Sequence, residues 1–354
     1  MKEYYKRIMP HIHKGRFYNY EHEPHKSIVL PTLGMYLSRL LNPRYSLSKF
    51  HNWNAHEQHI IHPIPVSHET APTITWIGHA SFLIEFPHLT IITDPVFGNI
   101  TPFFRRFSPP GIARDTLCDI DVVIISHNHR DHLERSTIRY LASKFDCVFF
   151  VPSGDGALLK QWGVRRVVEC MWWDQHTTNH PYIATPTPGT ITFLPAYHWS
   201  QRTLFDKNKS LWGSWMIEVG NYRCYFAGDT AYGPHFQVIA QEFPQIDVAL
   251  LPIGPCEPHR WLKNSHLNAE QACEAFCELK AAVAIPMHWG TFGFGIDDPL
   301  TPLSRVQQCW TERYAQRHAT QMLCPLRIGQ ALACVPTTTH TSVRHATSIE
   351  QLQL

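Results

Sequence analysis

One short segment of this chain concentrates side chains that bind metals. Residues 126–132 contain three imidazoles and a carboxylate, which belong to His127, His129, Asp131 and His132. Imidazole nitrogen and carboxylate oxygen suit a borderline divalent ion such as zinc. Four such ligands are more than one tetrahedral catalytic ion accepts while a position stays open for water. The segment therefore predicts two neighbouring metal ions.

The sequence on either side of this segment is typical of a catalytic loop. Although the chain contains 24 histidines, four specified residues at fixed spacing seldom arise by chance. Residues 121–125 form a β-branched run typical of a buried strand, and residues 133–145 have the periodicity of an amphipathic helix. A strand, a ligand loop and a helix in this order place the ligands at the edge of a sheet.

Two ions require further ligands, and three residues elsewhere in the chain qualify. His198, Asp229 and His288 each follow a strand candidate and stand next to a glycine or a turn. A single histidine beside a tryptophan is more often semi-buried than a metal ligand. Together, these three residues supply the additional ligands that a two-metal loop demands.

Composition restricts the class of protein. The chain has 354 residues, 44% hydrophobic and 17% charged, as in an ordinary globular protein, and its net charge of +2 does not favour nucleic-acid binding. Ten cysteines without a C-x-x-C pair predict reduced thiols in a cytoplasmic protein. We expect neither a signal peptide nor a membrane-spanning helix.

The hydrophobic pattern of the chain changes near residue 73, from weak periodicity to successive strand candidates. We predict an N-terminal extension at 1–72 that packs on the core, a catalytic domain at 73–335 and a polar tail at 336–354. Within the extension, residues 33–41 are a short apolar helix candidate for contact with a membrane or a substrate channel.

Hydrophobic patterns predict the elements of the catalytic domain. We expect strands at 74–78, 81–86, 90–93, 148–151, 190–194, 215–219, 223–227, 247–251 and 282–286, and helices at 154–161, 234–242 and 269–280. Asn268, with Gln271 three residues later, predicts a capping box at the start of the last helix.

These motifs resemble those of a known superfamily. The loop at 126–132, followed by His198, Gly-Asp-Thr at 228–230 and His288, resembles the metallo-β-lactamase-fold hydrolases. The resemblance implies an α+β fold, an αββα sandwich with an N-terminal extension and with the metals at one edge of the paired sheets.

Two further segments narrow the resemblance. Leu-Trp-Gly-Ser-Trp at 211–215 and His-Trp-Gly-Thr-Phe at 288–292 are similar to the N-acylphosphatidylethanolamine-hydrolysing phospholipase D family. The similarity is dense over roughly residues 70–300 and loose before them. Residues 256–261 depart from the family pattern around Glu-Pro, which leaves head-group recognition open.

The narrower resemblance implies a role for each candidate. One zinc ion would be held by His127, His129 and His198, and the other by Asp131, His132 and His288, with Asp229 as the bridge. Asp94 would orient a ligand imidazole; the alternative is a turn former before Pro95. His266 would face the substrate phosphate; the alternative is an exposed loop histidine. Iron or manganese in place of zinc stays open.

The implied reaction is hydrolysis of a phosphodiester. Two zinc ions about 3.5–4 Å apart activate a bridging water and clamp the attacking and leaving oxygens. We expect metal-bound hydroxide to attack phosphorus, releasing N-acylethanolamine and phosphatidic acid from the family substrate. Asp131, Asp229 and His266 are the predicted catalytic residues: Asp229 keeps the metals in register, and His266 protonates the leaving oxygen or stabilises charge.

The expected partners are a phospholipid substrate and a membrane surface in peripheral contact, without nucleic acid, and a homodimer stays open. Tryptophans 172, 173, 199, 212, 215 and 261 either line an apolar route to the metals or belong to the core. Two other functions compete. One is a different hydrolase of the same fold, a lactonase or a cyclic-nucleotide or nucleic-acid phosphodiesterase. The other is an inactive metal-binding or lipid-binding scaffold, which seven intact ligands disfavour.

Overall fold

Two β-sheets face each other, with helices on their outer sides. The computed structural model describes residues 8–20, 72–101, 104–177, 189–333 and the pair 344–345. The strands are β1 (His11–His13), β2 (Arg16–Tyr18), β3 (Thr73–Gly78), β4 (Ser81–Phe86), β5 (Leu89–Thr93), β6 (Val122–Ile124), β7 (Val148–Pro152), β8 (Val167–Cys170), β9 (Gln175–Thr177), β10 (Gly189–Leu194), β11 (Ser214–Val219), β12 (Tyr222–Phe226), β13 (Val248–Pro252), β14 (Val283–Met287), β15 (Met322–Leu323), β16 (Ala331–Ala333) and β17 (Arg344–His345). The α-helices are α1 (Arg135–Lys144), α2 (Gly156–Gln161), α3 (His235–Glu242), α4 (His259–Leu262), α5 (Ala269–Leu279) and α6 (Thr301–Cys309).

The order of strands mixes antiparallel and parallel pairing. Within the described residues, one sheet runs β17-β16-β3-β4-β5-β6-β7-β8 and the other runs β15-β14-β13-β12-β11-β10-β9. The predicted meander β3-β4-β5 is confirmed, and it continues as the parallel pairs from β5 to β8. Parallel neighbours need crossover connections. Helices α1 and α2 provide two of them in this sheet, and α3 and α5 provide two in the other.

The sheets enclose an apolar core, and helices cover their outer faces. Phe150 and Trp215 come from opposite sheets, and their ring centroids lie 6.4 Å apart. On the outer side of the first sheet, Ile138 and Leu141 of α1 belong to a second buried apolar cluster with Phe149. Helix α5 packs against β13 of the other sheet. The αββα sandwich implied by the resemblance is therefore confirmed.

The start of helix α5 has the predicted capping chemistry. The side chain of Asn268 accepts a hydrogen bond of 2.8 Å from the backbone N–H of Gln271, and the side chain of Gln271 accepts one of 3.3 Å from the N–H of Asn268. Such reciprocal bonds satisfy two N–H groups that a helix start leaves free. The cap fixes where α5 begins, two residues after the His266–Leu267 pair.

Three of the six tryptophans belong to the core, which is one of the two alternatives that the sequence left open. Trp172, Trp212 and Trp215 are almost completely buried. Their indole N–H groups donate to backbone carbonyls inside the molecule, as buried tryptophans require. The nine cysteines within the described ranges are free thiols. Among the helices of these ranges, none is both long and apolar enough to cross a bilayer.

A buried asparagine, Asn19, follows the N-terminal hairpin β1-β2 and bonds the backbone of His198, one of the predicted ligands. Asn19 donates to the carbonyl of His198 at 3.0 Å and accepts from the N–H of His198 at 3.2 Å. Its oxygen also accepts from the indole of Trp212 at 3.0 Å. Residues 33–41 lie outside the described residues, and the division at residue 73 stays a prediction.

We predict that Asn19→Ala lowers the free energy of unfolding by about 2 kcal/mol, because buried polar groups of His198 and Trp212 lose a partner. Urea denaturation followed by tryptophan fluorescence measures this change. The matched control is Asn264→Ala, since Asn264 is exposed, and substitutions at such positions usually change stability by less than about 0.5 kcal/mol. Equal stability of the two variants would show that Asn19 does not hold this segment.

Candidate metal centre

Each of the seven predicted ligands follows a strand of the sandwich. The four residues of the loop at 126–132 follow β6, whereas His198, Asp229 and His288 follow β10, β12 and β14. Because β6, β12 and β14 belong to the parallel parts of the two sheets, their carboxyl ends lead into neighbouring loops. The structure brings all seven side chains together in a cluster of overlapping groups, and all of them are buried except His129, which is half-buried.

Three imidazoles form one half of the cluster. The Nδ1 atom of His129 lies 2.8 Å from Nε2 of His127 and 3.2 Å from Nε2 of His198. Ligand atoms around a tetrahedral zinc ion lie about 3.4 Å apart. The three nitrogens therefore have the spacing of ligands to one ion.

A carboxylate and two imidazoles form the other half. The Oδ2 atom of Asp131 lies 3.3 Å from Nε2 of His132 and 3.9 Å from Nε2 of His288. The Nε2 atoms of both histidines are buried and lack a hydrogen-bond partner. Buried polar atoms are costly without a partner, and a cation between them supplies one.

The carboxylate of Asp229 lies between the two halves. Its Oδ2 atom is 4.0 Å from Nε2 of His127, 3.8 Å from Nε2 of His198 and 3.3 Å from Nε2 of His132. Its Oδ1 atom is 3.1 Å from Nε2 of His288 and has no hydrogen-bond partner. One carboxylate thus faces ligand nitrogens of both groups, as a shared ligand must.

His79 belongs to this cluster and was not among the predicted site residues. Its Nε2 atom lies 3.0 Å from Oδ2 of Asp131, and its ring centroid lies 3.9 Å from that of His288. It stands in the turn between β3 and β4. In the sequence, His79 follows a strand candidate and a glycine, and it lies in a segment at 74–80 that also resembles the phospholipase D family. It was not predicted as a site residue because it is far along the chain from the ligand loop.

Hydrogen bonds outside the cluster fix the orientation of the ligand rings. His132 donates from Nδ1 to Asp94 at 2.6 Å, which is the position that the resemblance implies for Asp94. The Nδ1–H groups of His198 and His288 donate to the carbonyls of Ser265 and Gly254 at 2.7 and 2.9 Å. Each of these bonds leaves Nε2 without a proton in the neutral ring and directs its lone pair into the cluster.

Burial and charge set the protonation of the ligand rings. Burial lowers the pKa of His129 to about 4 and holds the pKa of His127 and His198 well below the usual value, so all three are neutral at pH 7. For His132, burial acts in the same direction, but Asp229 and Asp131 outweigh it and raise the pKa well above the usual value. The buried carboxylates thus stabilise a positive charge at the centre of the cluster.

A glycine permits the close approach of the two ligand loops. Gly228 precedes Asp229 and has a φ of +58°, and a Cβ atom there would lie 2.4 Å from Cβ of Ser126. His79, Asp94 and His288 also have left-handed backbone, with φ of 55°, 33° and 65°. Such conformations are uncommon outside glycine and often occur at functional sites.

His266 lies beside the carboxylate of Asp229 rather than in an exposed loop. Its side chain is 16% exposed, and its Nδ1 atom lies 3.6 Å from Oδ2 of Asp229. Its ring centroid is 5.2 Å from that of His198 and 5.4 Å from that of His288. Burial lowers its pKa to about 4, so the ring is neutral at pH 7.

Aromatic side chains border the cluster on two sides. The rings of Phe292 and Phe294 lie 5.1 and 5.8 Å from those of His79 and His288. On the other side, the ring of Trp199 lies 4.3 Å from that of His129. The polar cluster therefore has an apolar border, which suits a ligand with both polar and apolar parts.

The chain is similar to several known proteins. A family model described as a beta-lactamase superfamily domain matches residues 90–289. The chain is 31% identical over 256 residues to N-acyl-phosphatidylethanolamine-hydrolyzing phospholipase D 1 of Caenorhabditis elegans, covering 68% of this chain and 70% of the worm protein. It is 30% identical to the mitochondrial N-acyl-phosphatidylethanolamine-hydrolyzing phospholipase D of Saccharomyces cerevisiae, covering 66% of this chain and half of the yeast protein.

A solved structure shows the same fold. The metallo hydrolase of the archaeon Ignicoccus hospitalis KIN4/I superposes with a TM-score of 0.56 at 23% identity, covering 75% of this chain and 98% of that one. The chain is therefore a metal-dependent hydrolase of the metallo-β-lactamase superfamily and, within it, belongs to the N-acylphosphatidylethanolamine-hydrolysing phospholipase D family.

Proposed function

We propose that the protein is a dinuclear zinc phosphodiesterase of phospholipase D type, which hydrolyses N-acylphosphatidylethanolamine to N-acylethanolamine and phosphatidic acid. The observation that carries the proposal is the carboxylate of Asp229, which faces ligand nitrogens of both halves of the cluster. The names of the worm and yeast relatives support the choice of substrate.

Two zinc ions fit the side chains of the cluster. His127, His129 and His198 would hold one, Asp131, His132 and His288 would hold the other, and Asp229 would contact both. Nitrogen and oxygen donors suit zinc, and the unpartnered Nε2 atoms of His132 and His288 are the groups that a cation would satisfy. When bound, such a pair of ions supplies an activated water and polarises the phosphoryl oxygens.

The residues around the ions position the reacting groups. Asp94 and the carbonyls of Ser265 and Gly254 hold three imidazoles in the orientation that directs Nε2 inward. Asp131 is in turn held by the hydrogen bond from His79. These contacts fix the donor atoms before a substrate arrives, which is what electrostatic preorganisation requires.

His266 is placed to act on the substrate phosphate. Because its ring is neutral at pH 7, an N–H group of this ring stabilises developing negative charge more readily than it delivers a proton. The lowered pKa of His266 therefore supports the second of the two roles considered from the sequence, stabilisation of charge. Its Nδ1 atom lies 3.6 Å from Oδ2 of Asp229, as close as the proposed ligands, and we assign it to the substrate because the other seven residues already supply both ions.

The apolar border suits a lipid. Phe292 and Phe294 adjoin His79 and His288, so an acyl chain lies along them while the phosphate reaches the metals.

The head group needs no contact with Glu257, the glutamate of the Glu-Pro segment. The side chain of Arg305 already donates a hydrogen bond of 3.1 Å to this carboxylate. The nitrogen of the head group is acylated and uncharged in the proposed substrate, so it needs no carboxylate as a partner.

The test is to identify the products after zinc-loaded protein is incubated with N-acylphosphatidylethanolamine in mixed micelles. We expect phosphatidic acid and N-acylethanolamine by mass spectrometry. Asp229→Asn should yield neither, with kcat lower by at least about a thousandfold, because the ligand shared by both metal sites loses its charge. Its circular dichroism spectrum should match that of the wild type.

Other products lead to other conclusions. Cleavage of bis(p-nitrophenyl) phosphate without cleavage of the phospholipid would retain the metal-dependent phosphodiesterase and reject the lipid substrate. Faster hydrolysis of a lactone or a cyclic nucleotide than of the phospholipid would favour the competing hydrolases. Full activity of Asp229→Asn would contradict the assigned role of this carboxylate.

We predict that His79→Ala lowers the affinity for one of the two metal ions by about 10- to 100-fold, because Asp131 loses the group that orients it. Titration with zinc against a competing chromophoric chelator measures both affinities separately. His235→Ala is a matched control, since His235 is also fully buried but bonds Tyr20 and Thr230 rather than a proposed ligand. Unchanged zinc affinity in His79→Ala would exclude this positioning role.

A further inference from the structure

Large apolar side chains are exposed to solvent near the metal centre. The strongly exposed ones among the described residues are Met9, Ile12, Leu204, Phe205 and Ile296. Leu204 and Phe205 are 83% and 81% exposed, and they are adjacent in the loop at 201–209. Two neighbouring side chains of this size, both almost fully exposed, contribute little to folding and suggest a surface that contacts something apolar.

Hydrogen bonds join the loop at 201–209 to the hairpin β1-β2. The N–H of Phe17 donates to the carbonyl of Asn208 at 2.8 Å. The guanidinium of Arg16 donates to the carbonyls of Phe205 and Lys207. Four of the five exposed apolar residues therefore lie on or beside two segments that are bonded to each other. We call these two segments the docking surface.

The loop is held in shape by its own hydrogen bonds. The carboxylate of Asp206 accepts from the N–H groups of Arg202 and Thr203 at 3.0 and 2.8 Å. The side-chain amide of Gln201 donates to the carbonyl of Thr203 at 2.7 Å. These bonds leave Leu204 and Phe205 at the tip of a preformed turn, so their exposure is a property of the folded loop.

The docking surface is positively charged. The hairpin β1-β2 and the loop at 201–209 contain the cations Lys14, Arg16, Lys207 and Lys209, apart from Arg202, which bonds to backbone carbonyls of the ligand loop. They contain one carboxylate, Asp206, which the backbone of the loop engages. The exposed Arg130 adds a further charge, since it donates to the carbonyl of Arg202 at 3.4 Å. Exposed apolar side chains with cations around them match the interface of an anionic bilayer.

The same surface adjoins the metal ligands. Arg202 donates from Nη1 to the carbonyls of Asn128 and Leu133 at 2.7 and 2.8 Å, so it ties the docking loop to the ligand loop. The ammonium group of Lys207 lies 5.6 Å from the ring centroid of Trp199, which contacts His129. A bilayer at this surface would lie beside the proposed zinc site.

We propose that the docking surface binds an anionic lipid bilayer, with Leu204 and Phe205 inserted among the acyl chains and the cations on the lipid phosphates. This proposal rests on the proposed function in one respect, because the bilayer would then contain the substrate. The docking surface lies within the described residues and does not include the segment at 33–41.

The test is sedimentation of the full-length, zinc-loaded protein with vesicles of phosphatidylcholine and phosphatidylglycerol. We expect the double variant Leu204→Ser/Phe205→Ser to bind these vesicles about tenfold or more weakly than the wild type. Lys207→Glu/Lys209→Glu should remove the preference for these vesicles over pure phosphatidylcholine. Both variants should hydrolyse bis(p-nitrophenyl) phosphate like the wild type, which also shows that they fold.

The matched control is Ile296→Ser. Ile296 is an exposed aliphatic residue that Asp297 and Asp298 follow, so it has carboxylates rather than cations beside it, and its substitution should leave vesicle binding unchanged. Wild-type affinity in the Leu204→Ser/Phe205→Ser variant, or no binding by the wild type, would overturn the docking surface. If Leu204→Ser/Phe205→Ser changed the oligomeric state and left vesicle binding intact, the docking surface would contact another protein copy and not a bilayer. Vesicle binding without cleavage of N-acylphosphatidylethanolamine would instead reject the substrate and keep the surface.

Discussion

Two buried carboxylates that face six imidazoles are the constraint on which the rest of this structure depends. Asp131 and Asp229 lie inside the protein, where an unpaired negative charge is costly. Several imidazole nitrogens around them are buried without a hydrogen-bond partner. Such an arrangement is stable only when positive charge lies among these groups. A pair of divalent ions meets that demand more fully than a single proton on His132, whose pKa the two carboxylates raise against the effect of burial.

The fold brings loops from both sheets together around these carboxylates. The Asp229 loop approaches the His127 loop through Gly228, and the backbone of Gly213 donates to the carbonyl of Ser126 at 3.0 Å. His198 is held on one side by the carbonyl of Ser265 and on the other by Asn19. Asn19 thus fixes the backbone of His198, and Ser265 fixes its imidazole. Positioning of this kind distinguishes a metal centre from a chance cluster of histidines.

Much of this organisation follows from local patterns in the sequence. The strands around 74–93, the helix that follows the ligand loop and the capping box at Asn268 each have a local periodicity or a local hydrogen bond. The role of His79 has no such local signal, because its contact with Asp131 joins residues 52 positions apart. The hairpin β1-β2 was not predicted, since strands of three residues are too short for an alternating pattern. The core position of Trp172, Trp212 and Trp215 also depends on the pairing of the sheets rather than on their neighbours in sequence.

We propose that two metal ions lie on either side of the Asp229 carboxylate. Anomalous diffraction at the zinc absorption edge, from crystals of the zinc-loaded protein, tests it most directly. The account predicts two peaks, one beside His127, His129 and His198 and the other beside Asp131, His132 and His288, with the carboxylate of Asp229 between them. A single peak, or zinc bound only at surface histidines such as His11 and His13, would contradict it.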